Sequence, residues 1–345
     1  MSAAFAPRAA VIGIAGTSLS CAERELLQAL PPAGVILFQR NCADRAQLKA
    51  LTDELRALAG ARRLPILIDQ EGGRVMRLRP PHWRALPSAG AIGRLALADR
   101  AAGCEAARLL GRLIAHDLRE VGIDVDCAPV LDVATPGMTE AIGDRSFGSD
   151  PALVAELAAA FATGLTAGGV APVVKHVPGH GRARVDSHFA LPVVHEAGAV
   201  LREADFVPFR ALRHAPFAMT AHLVFTALDP EHPATTSRRL IAEIVRGELG
   251  IQGILLSDDL AMQALSGEPA ARALAALEAG CDLALYCPGR LEDTRAVLQA
   301  VPPLAPSLQA RLDGIMTALA ATPVEPFDAE AAEARLLSLL AGPVA

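Results

Sequence analysis

Lys175, His176, His180, Asp186 and His188 fall within a span of fourteen residues. Pro178, Gly179 and Gly181 break that span, so it is neither a plain helix nor a plain strand. It follows an apolar run, 170–174, that reads as a buried strand. Imidazoles beside a carboxylate suit proton transfer near neutral pH. An aspartate hydrogen-bonded to one ring nitrogen fixes the tautomer and favours the protonated ring. Asp186 stands two residues before His188, a spacing that suits such a pair or an incidental surface contact equally well. Lys175 and Lys49 are the only lysines in a chain that otherwise uses arginine for its permanent cations. A lysine that persists against such a bias points to a position needing a compact ammonium instead of a planar guanidinium.

Other ionisable residues close apolar runs elsewhere in the chain. Candidate strands are 10–15, 34–38, 64–69, 125–133, 171–176, 217–223, 253–258 and 281–287. Asp69 ends the third, Asp132 lies near the end of the fourth, and Lys175 with His176 ends the fifth. His222 lies near the end of the sixth and Asp258 ends the seventh. Amphipathic helical patterns intervene, among them 43–59, 101–121, 151–167, 199–214, 237–249 and 269–279. Strands alternating with helices predict parallel pairing with right-handed crossovers. Near-continuous apolar strands predict burial on both faces. Eight such units predict an α/β fold of the (β/α)8 TIM-barrel type, with the ionisable groups gathered at its C-terminal face. A single domain over 1–345 is expected, with a helical tail, 306–345, packed outside the barrel. A doubly wound open sheet is the alternative, but Gly13-Ile14-Ala15-Gly16 is a poor version of its glycine-rich first turn.

Bulk composition narrows the partners. The chain has 345 residues, 52% of them hydrophobic, which suits one large core. A net charge of -6 with 3% aromatic residues leaves neither a basic stripe nor stacking platforms, so no nucleic-acid partner is expected. No apolar span is long enough for a membrane helix, and residues 1–8 lack the core of a signal peptide. The six cysteines, at 21, 42, 104, 127, 281 and 287, show no paired spacing. Cys127 and Cys281 read as core packing. A reducing compartment follows as the expectation, and the cytoplasm is its default.

Several strings carry a family resemblance: Ile68-Asp69-Gln70-Glu71-Gly72-Gly73-Arg74-Val75, Ala128-Pro129-Val130-Leu131-Asp132-Val133, Gly143-Asp144-Arg145-Ser146-Phe147, the stretch from Lys175 to His188, and Leu256-Ser257-Asp258-Asp259-Leu260-Ala261-Met262. Together they resemble the family 3 glycoside hydrolases, specifically the short β-N-acetylhexosaminidases of bacterial cell-wall recycling. That resemblance implies a (β/α)8 barrel and a retaining exo-β-N-acetylglucosaminidase acting on cytosolic muropeptide fragments. It implies a small-molecule glycan substrate and neither metal nor organic cofactor. A monomer is expected. Val177 stands where Phe is common in the family, and 182–185 replaces a more acidic or small loop.

The resemblance also assigns roles. Asp258 matches the nucleophile, His188 the general acid/base, and Asp186 its partner. Asp69, Arg77, Arg145, Lys175 and His176 match sugar-binding positions, with Asp144 expected to hold the Arg145 guanidinium. Asp259 competes with Asp258, but successive strand residues face opposite ways, so one of the two faces the pocket. Either also suits a helix N-cap. His222 and Asp132 read as pocket-lining or supporting groups, and His180 as a residue that orders the loop. The Gly179-His180-Gly181 segment predicts a mobile loop. Phosphate in place of water as acceptor, or a broader β-glycosidase, remains open on the same scaffold. A metal-dependent barrel hydrolase using His176, His180, His188 and Asp258 is a remote reading, as is a sugar-binding barrel without catalysis.

Overall fold

The computed structural model describes residues 6–60, 62–323 and 326–342. Eight parallel strands form one sheet: β1 (Arg8–Gly13), β2 (Pro32–Leu37), β3 (Ile66–Ile68), β4 (Val125–Asp126), β5 (Ala171–Val177), β7 (Phe217–Thr220), β9 (Ile254–Leu256) and β10 (Ala284–Tyr286). β10 pairs with β1, and the bridge between Leu256 and Leu283 closes the ring between β9 and β10. A second pair, β6 (Val193–Val194) with β8 (Val224–Phe225), lies outside the ring. The chain is therefore a single-domain (β/α)8 barrel.

The strands are apolar on both sides because both sides are buried. In β1, Val11 faces the barrel interior with Ile36, Leu67, Val173 and Leu256, whereas Ala10 and Ile12 face the surrounding helices. The expected strand 125–133 is paired as a ladder only over Val125–Asp126. Pro129 brings no N–H to the ladder, yet Val130 bridges to Lys175 and Leu131 N donates to Lys175 O at 2.7 Å. Strand-like bonding thus continues to the residues that matter.

The helices are α1 (Cys21–Ala29), α2 (Arg45–Ala59), α3 (Ala89–Ala98), α4 (Arg100–Glu120), α5 (Pro151–Ala167), α6 (Gly198–Glu203), α7 (Phe206–Ala211), α8 (Pro269–Ala279), α9 (Leu291–Ala300), α10 (Pro306–Ala321) and α11 (Ala329–Ala341). Helix α1 starts on a capping box in which Ser20 and Glu23 satisfy each other's backbone N–H. The expected helix 199–214 is broken at Ala204–Asp205. Pro208 has no N–H for the carbonyl of Ala204, so a new helix starts two residues before it. The expected helix 237–249 is π-helical over Leu240–Glu248, with Ser237 Oγ accepting from Leu240 N at 2.9 Å. Among the described residues, no helix is long and apolar enough to cross a membrane.

The C-terminal helices do different jobs. Helix α11 lies along α4 and α3 on the barrel wall. Leu312, Met316 and Leu319 of α10 join the interior cluster of Ala9, Ala33, Val125 and Ile254, and so seal the N-terminal end of the ring. That end needs a plug because interior side chains there would otherwise meet water. Leu312 is 1% exposed. Leu312→Ala is expected to lower unfolding stability by about 2–5 kcal/mol, read from urea denaturation.

Candidate active site

Strand ends and the loops after them enclose a cavity of about 360 Å³ at the C-terminal mouth of the barrel. Its wall includes Asp69, Arg77, Arg145, Lys175, His176, Asp186, His188 and Asp258, which are the eight candidate residues read from the sequence. Phe38, Met219, Met262, Leu285 and Cys287 supply apolar surface between them.

Alternating charges line one side. Lys175 Nζ lies 2.7 Å from Asp69 Oδ1 and 2.8 Å from Glu71 Oε1, and the side chain is 2% exposed. Asp69 Oδ2 takes Arg77 at 3.0 Å. Glu71 grips Arg145 through both oxygens, each contact 2.8 Å. The Arg77 guanidinium also sits 5.1 Å from the Phe38 ring centroid, within cation–π range. A row of buried charges holds together only if each has its partner. Burial pushes the Asp69 carboxyl up, but Lys175 and Arg77 outweigh it and hold the group well below the usual carboxylate range. Burial opposes the charge on Glu71 too, yet Arg145 and Lys175 bring that carboxyl down to about 2. Burial would lower Lys175, but the two carboxylates keep it firmly protonated.

A second chain of contacts runs through Asp132, which is fully buried. Its Oδ2 lies 2.7 Å from His176 Nδ1, and its Oδ1 accepts from His180 N at 2.7 Å. Burial raises this carboxyl and the facing imidazoles of His176 and His180 reverse the effect, to about 2. An anionic Asp132 makes Nδ1 of His176 the protonated nitrogen, so Nε2 faces Arg145 at 3.5 Å. The peptide between Lys175 and His176 is cis, and both side chains line the cavity.

Asp258 sits across the cavity, after β9. Its Oδ1 accepts from Asp259 N at 2.8 Å. Burial pushes this carboxyl up, but His222, His176, the Asp259 N–H and Lys175 leave it below the ordinary range, and so ionised. Asp259 is spent differently. Its Oδ1 accepts from Ala261 N at 3.0 Å and Cys287 N at 3.1 Å, tying the turn after β9 to the end of β10. His222 has both nitrogens satisfied, by Thr235 Oγ1 at 2.7 Å and the Asp259 carbonyl at 3.0 Å, and so supports the turn that carries Asp258. Over the mouth, His188 Nδ1 lies 2.7 Å from Asp186 Oδ1, which also accepts His188 N at 2.9 Å. Burial raises Asp186, but the His188 backbone and ring outweigh it and keep the carboxylate charged. The outward nitrogen, Nε2, remains for a proton exchanged with the cavity.

Two sequence expectations are corrected. Asp144 does not hold Arg145: it pairs with Arg74 at 3.2 Å, and Glu71 holds Arg145 instead. Neighbouring residues of the tight turn Gly143–Arg145 point apart, so adjacency in sequence was a poor guide. The proposed metal set does not converge. His176, His180 and His188 each commit a ring nitrogen to Asp132, Ser187 or Asp186. Among the described residues, the one group of three such side chains with ligand atoms within 4.8 Å is His116, Asp117 and Glu120 on α4, where Asp117 already pairs with Arg84 at 2.9 Å. Glu71 is the site residue that sequence reasoning missed, although a carboxylate two positions after Asp69 on extended chain faces the same side.

These buried carboxyls set an acid limit. Glu71 normally titrates near 4.5 and here near 2. In the unfolded chain it regains the higher value, so the unfolded state takes up the proton first as pH falls. Stability present above about pH 4.5 is thus lost progressively toward pH 2. Glu71→Gln leaves the facing cations under-compensated. It is expected to cost about 3–5 kcal/mol at pH 7, and less at pH 3, in urea titrations at the two pH values.

Comparison with known proteins gives the same picture. The model of the glycosyl hydrolase family 3 N-terminal domain matches residues 10–320. A β-hexosaminidase of Alkalilimnicola ehrlichii is 44% identical over 308 residues, 88% of this chain and 86% of its own. NagZ from Neisseria gonorrhoeae, solved in complex with N-trifluoroacetyl-D-glucosamine, superposes with a TM-score of 0.87 at 33% identity, covering 97% of this chain and 99% of that one. A family 3 β-N-acetylglucosaminidase from a Paenibacillus species gives 0.80 at 34% identity, covering 98% of this chain and 62% of the longer protein. A family match that takes in the whole ring, its charged mouth and the helix that plugs its floor has one meaning: the chain is a glycoside hydrolase belonging to glycosyl hydrolase family 3.

Proposed function

We propose that the chain is a retaining exo-β-N-acetylglucosaminidase that removes terminal β-linked N-acetylglucosamine from muropeptide fragments in the cytoplasm. The observation that carries this reading is the sharing of one cavity by an ionised Asp258 and the Asp186–His188 pair. Retaining glycosidases need a nucleophile on one face of the ring and a proton donor by the leaving oxygen. Asp258 attacks the anomeric carbon as His188 Nε2 gives its proton to the departing oxygen. That oxygen leaves as an alcohol, and the sugar stays on Asp258 as an ester. His188, now neutral, takes a proton from water, and the resulting attack releases the sugar with its β configuration and frees Asp258. Asp186 orients the ring through the first step.

The charged wall suits the sugar's hydroxyls. Asp69 retains free lone pairs beside the bonds to Lys175 and Arg77, and Arg145, Lys175 and His176 Nε2 present polar atoms at the same edge. The names of the similar proteins support N-acetylglucosamine as the sugar, because they are β-hexosaminidases and a complex with an N-acylated glucosamine. A neutral imidazole carries no negative charge to repel phosphate, so the acceptor is decided by measurement.

Asp258→Asn is expected to cut turnover of an aryl β-N-acetylglucosaminide by on the order of 10³-fold or more; near-normal hydrolysis would refute the assignment. Proton NMR of the first product should show the β anomer, and the α anomer would rule out a covalent intermediate. Added phosphate is expected to leave the rate unchanged. Faster turnover with formation of the sugar 1-phosphate would instead make the enzyme a phosphorylase.

A further inference from the structure

Ser187 lies between the two members of the proposed proton-transfer pair and takes no part in the reaction as written. It is nevertheless buried, 3% exposed, while Arg184, Val185 and His188 around it are exposed. Its Oγ lies 3.1 Å from His180 Nε2. His180 is 2% exposed and firmly seated. Its backbone N donates to Asp132 Oδ1 at 2.7 Å, and its ring meets His176 edge-on, with centroids 5.6 Å apart. Nδ1 of His180 is buried without a hydrogen-bond partner. Burial pushes the imidazole down to about 4, so the ring meets Ser187 as a neutral group.

The residues after His180 are anchored too. A Cβ on Gly181 would fall 1.8 Å from the Val133 carbonyl oxygen, so glycine is needed there for close approach. Thr135 Oγ1 donates to Gly181 O at 2.7 Å, Thr139 N to Ala183 O at 2.8 Å, and Arg182 Nε to Asp205 Oδ2 at 2.7 Å. Residues 180–183 therefore form a fixed base. The segment after it carries Asp186 and His188, and two bonds tie it back: Ser187 Oγ to His180, and Gln263 N to His188 O at 3.3 Å.

We infer that Ser187 and His180 form a latch that seats the His188 imidazole over the sugar cavity, with both acting as positioning residues for proton transfer. The inference rests on His188 being the acid/base, as proposed above. Asp132 links the two halves of the site, because one of its carboxylate oxygens orients the His176 ring on the cavity wall and the other holds the base of the latch. Loss of a single hydrogen bond of this kind lowers the seated fraction by roughly three- to tenfold. That loss should appear only where the leaving group needs a proton.

Ser187→Ala, Ser187→Thr, His180→Gln and His188→Ala, compared with the parent enzyme on aryl β-N-acetylglucosaminides of graded leaving-group acidity, test this. Ser187→Ala should lower kcat/KM several-fold for an unsubstituted phenol and less than twofold for a dinitrophenol. Ser187→Thr and His180→Gln, which keep a hydrogen-bonding group, should recover most of the loss. His188→Ala should show the same leaving-group pattern more steeply. If Ser187→Ala matches the parent on both substrates while His188→Ala stays steep, the latch is wrong and the acid assignment stands. If Ser187→Ala loses equally on both, its role is only structural and the latch is wrong. If His188→Ala shows no leaving-group dependence, the acid assignment falls and the latch falls with it.

Discussion

The mouth of this barrel is organised by one ammonium. Lys175, buried at the end of β5, lies against two carboxylates from the segment after β3, and each of those holds an arginine. A point charge with three donors can serve Asp69 and Glu71 in different directions. A guanidinium would present a planar fork better suited to one carboxylate at a time. That geometry accounts for a lysine in a chain whose cations are otherwise almost all arginine. Buried charges are costly unless every one is compensated. The row from Arg77 to Arg145 is therefore cooperative, and it fixes three separate segments of chain against one another.

Function follows from that rigidity. A row held in place before substrate arrives presents its remaining lone pairs and N–H groups without reorganisation, which is how polar sites gain most from electrostatics. Opposite it, Asp258 is kept ionised by the same surroundings, while Asp259, its neighbour, is consumed in fastening the turn. In the proposed mechanism the proton donor, His188, stands on a loop outside this frame. Its exposure suits a group that must trade protons with both leaving group and water.

Much of this was legible in the residues. Eight strands, their order, and the gathering of Asp69, Lys175, His176 and Asp258 at one end followed from apolar periodicity and from ionisable residues closing apolar runs. The choice of Asp258 over Asp259 came from resemblance, since alternation says only that the two diverge. What stayed hidden depends on three-dimensional partners. Glu71 reaches Arg145 across 74 residues; its spacing from Asp69 places it on the same side of the chain but does not announce that partner. The break at Asp205 was readable from Pro208 but easily lost within an otherwise helical pattern. The interior role of α10 was not readable, because an amphipathic helix looks the same whether it covers a wall or plugs a floor.

The central claim is that Asp258 carries the sugar between two chemical steps. Incubation with a fluorinated N-acetylglucosaminyl fluoride that forms the glycosyl-enzyme quickly and hydrolyses it slowly, followed by proteolysis and mass spectrometry, tests it directly. The account predicts one added sugar, on the peptide containing β9 and localised to Asp258. A label on Asp259, a label elsewhere, or an enzyme that turns over without ever carrying a sugar would contradict it.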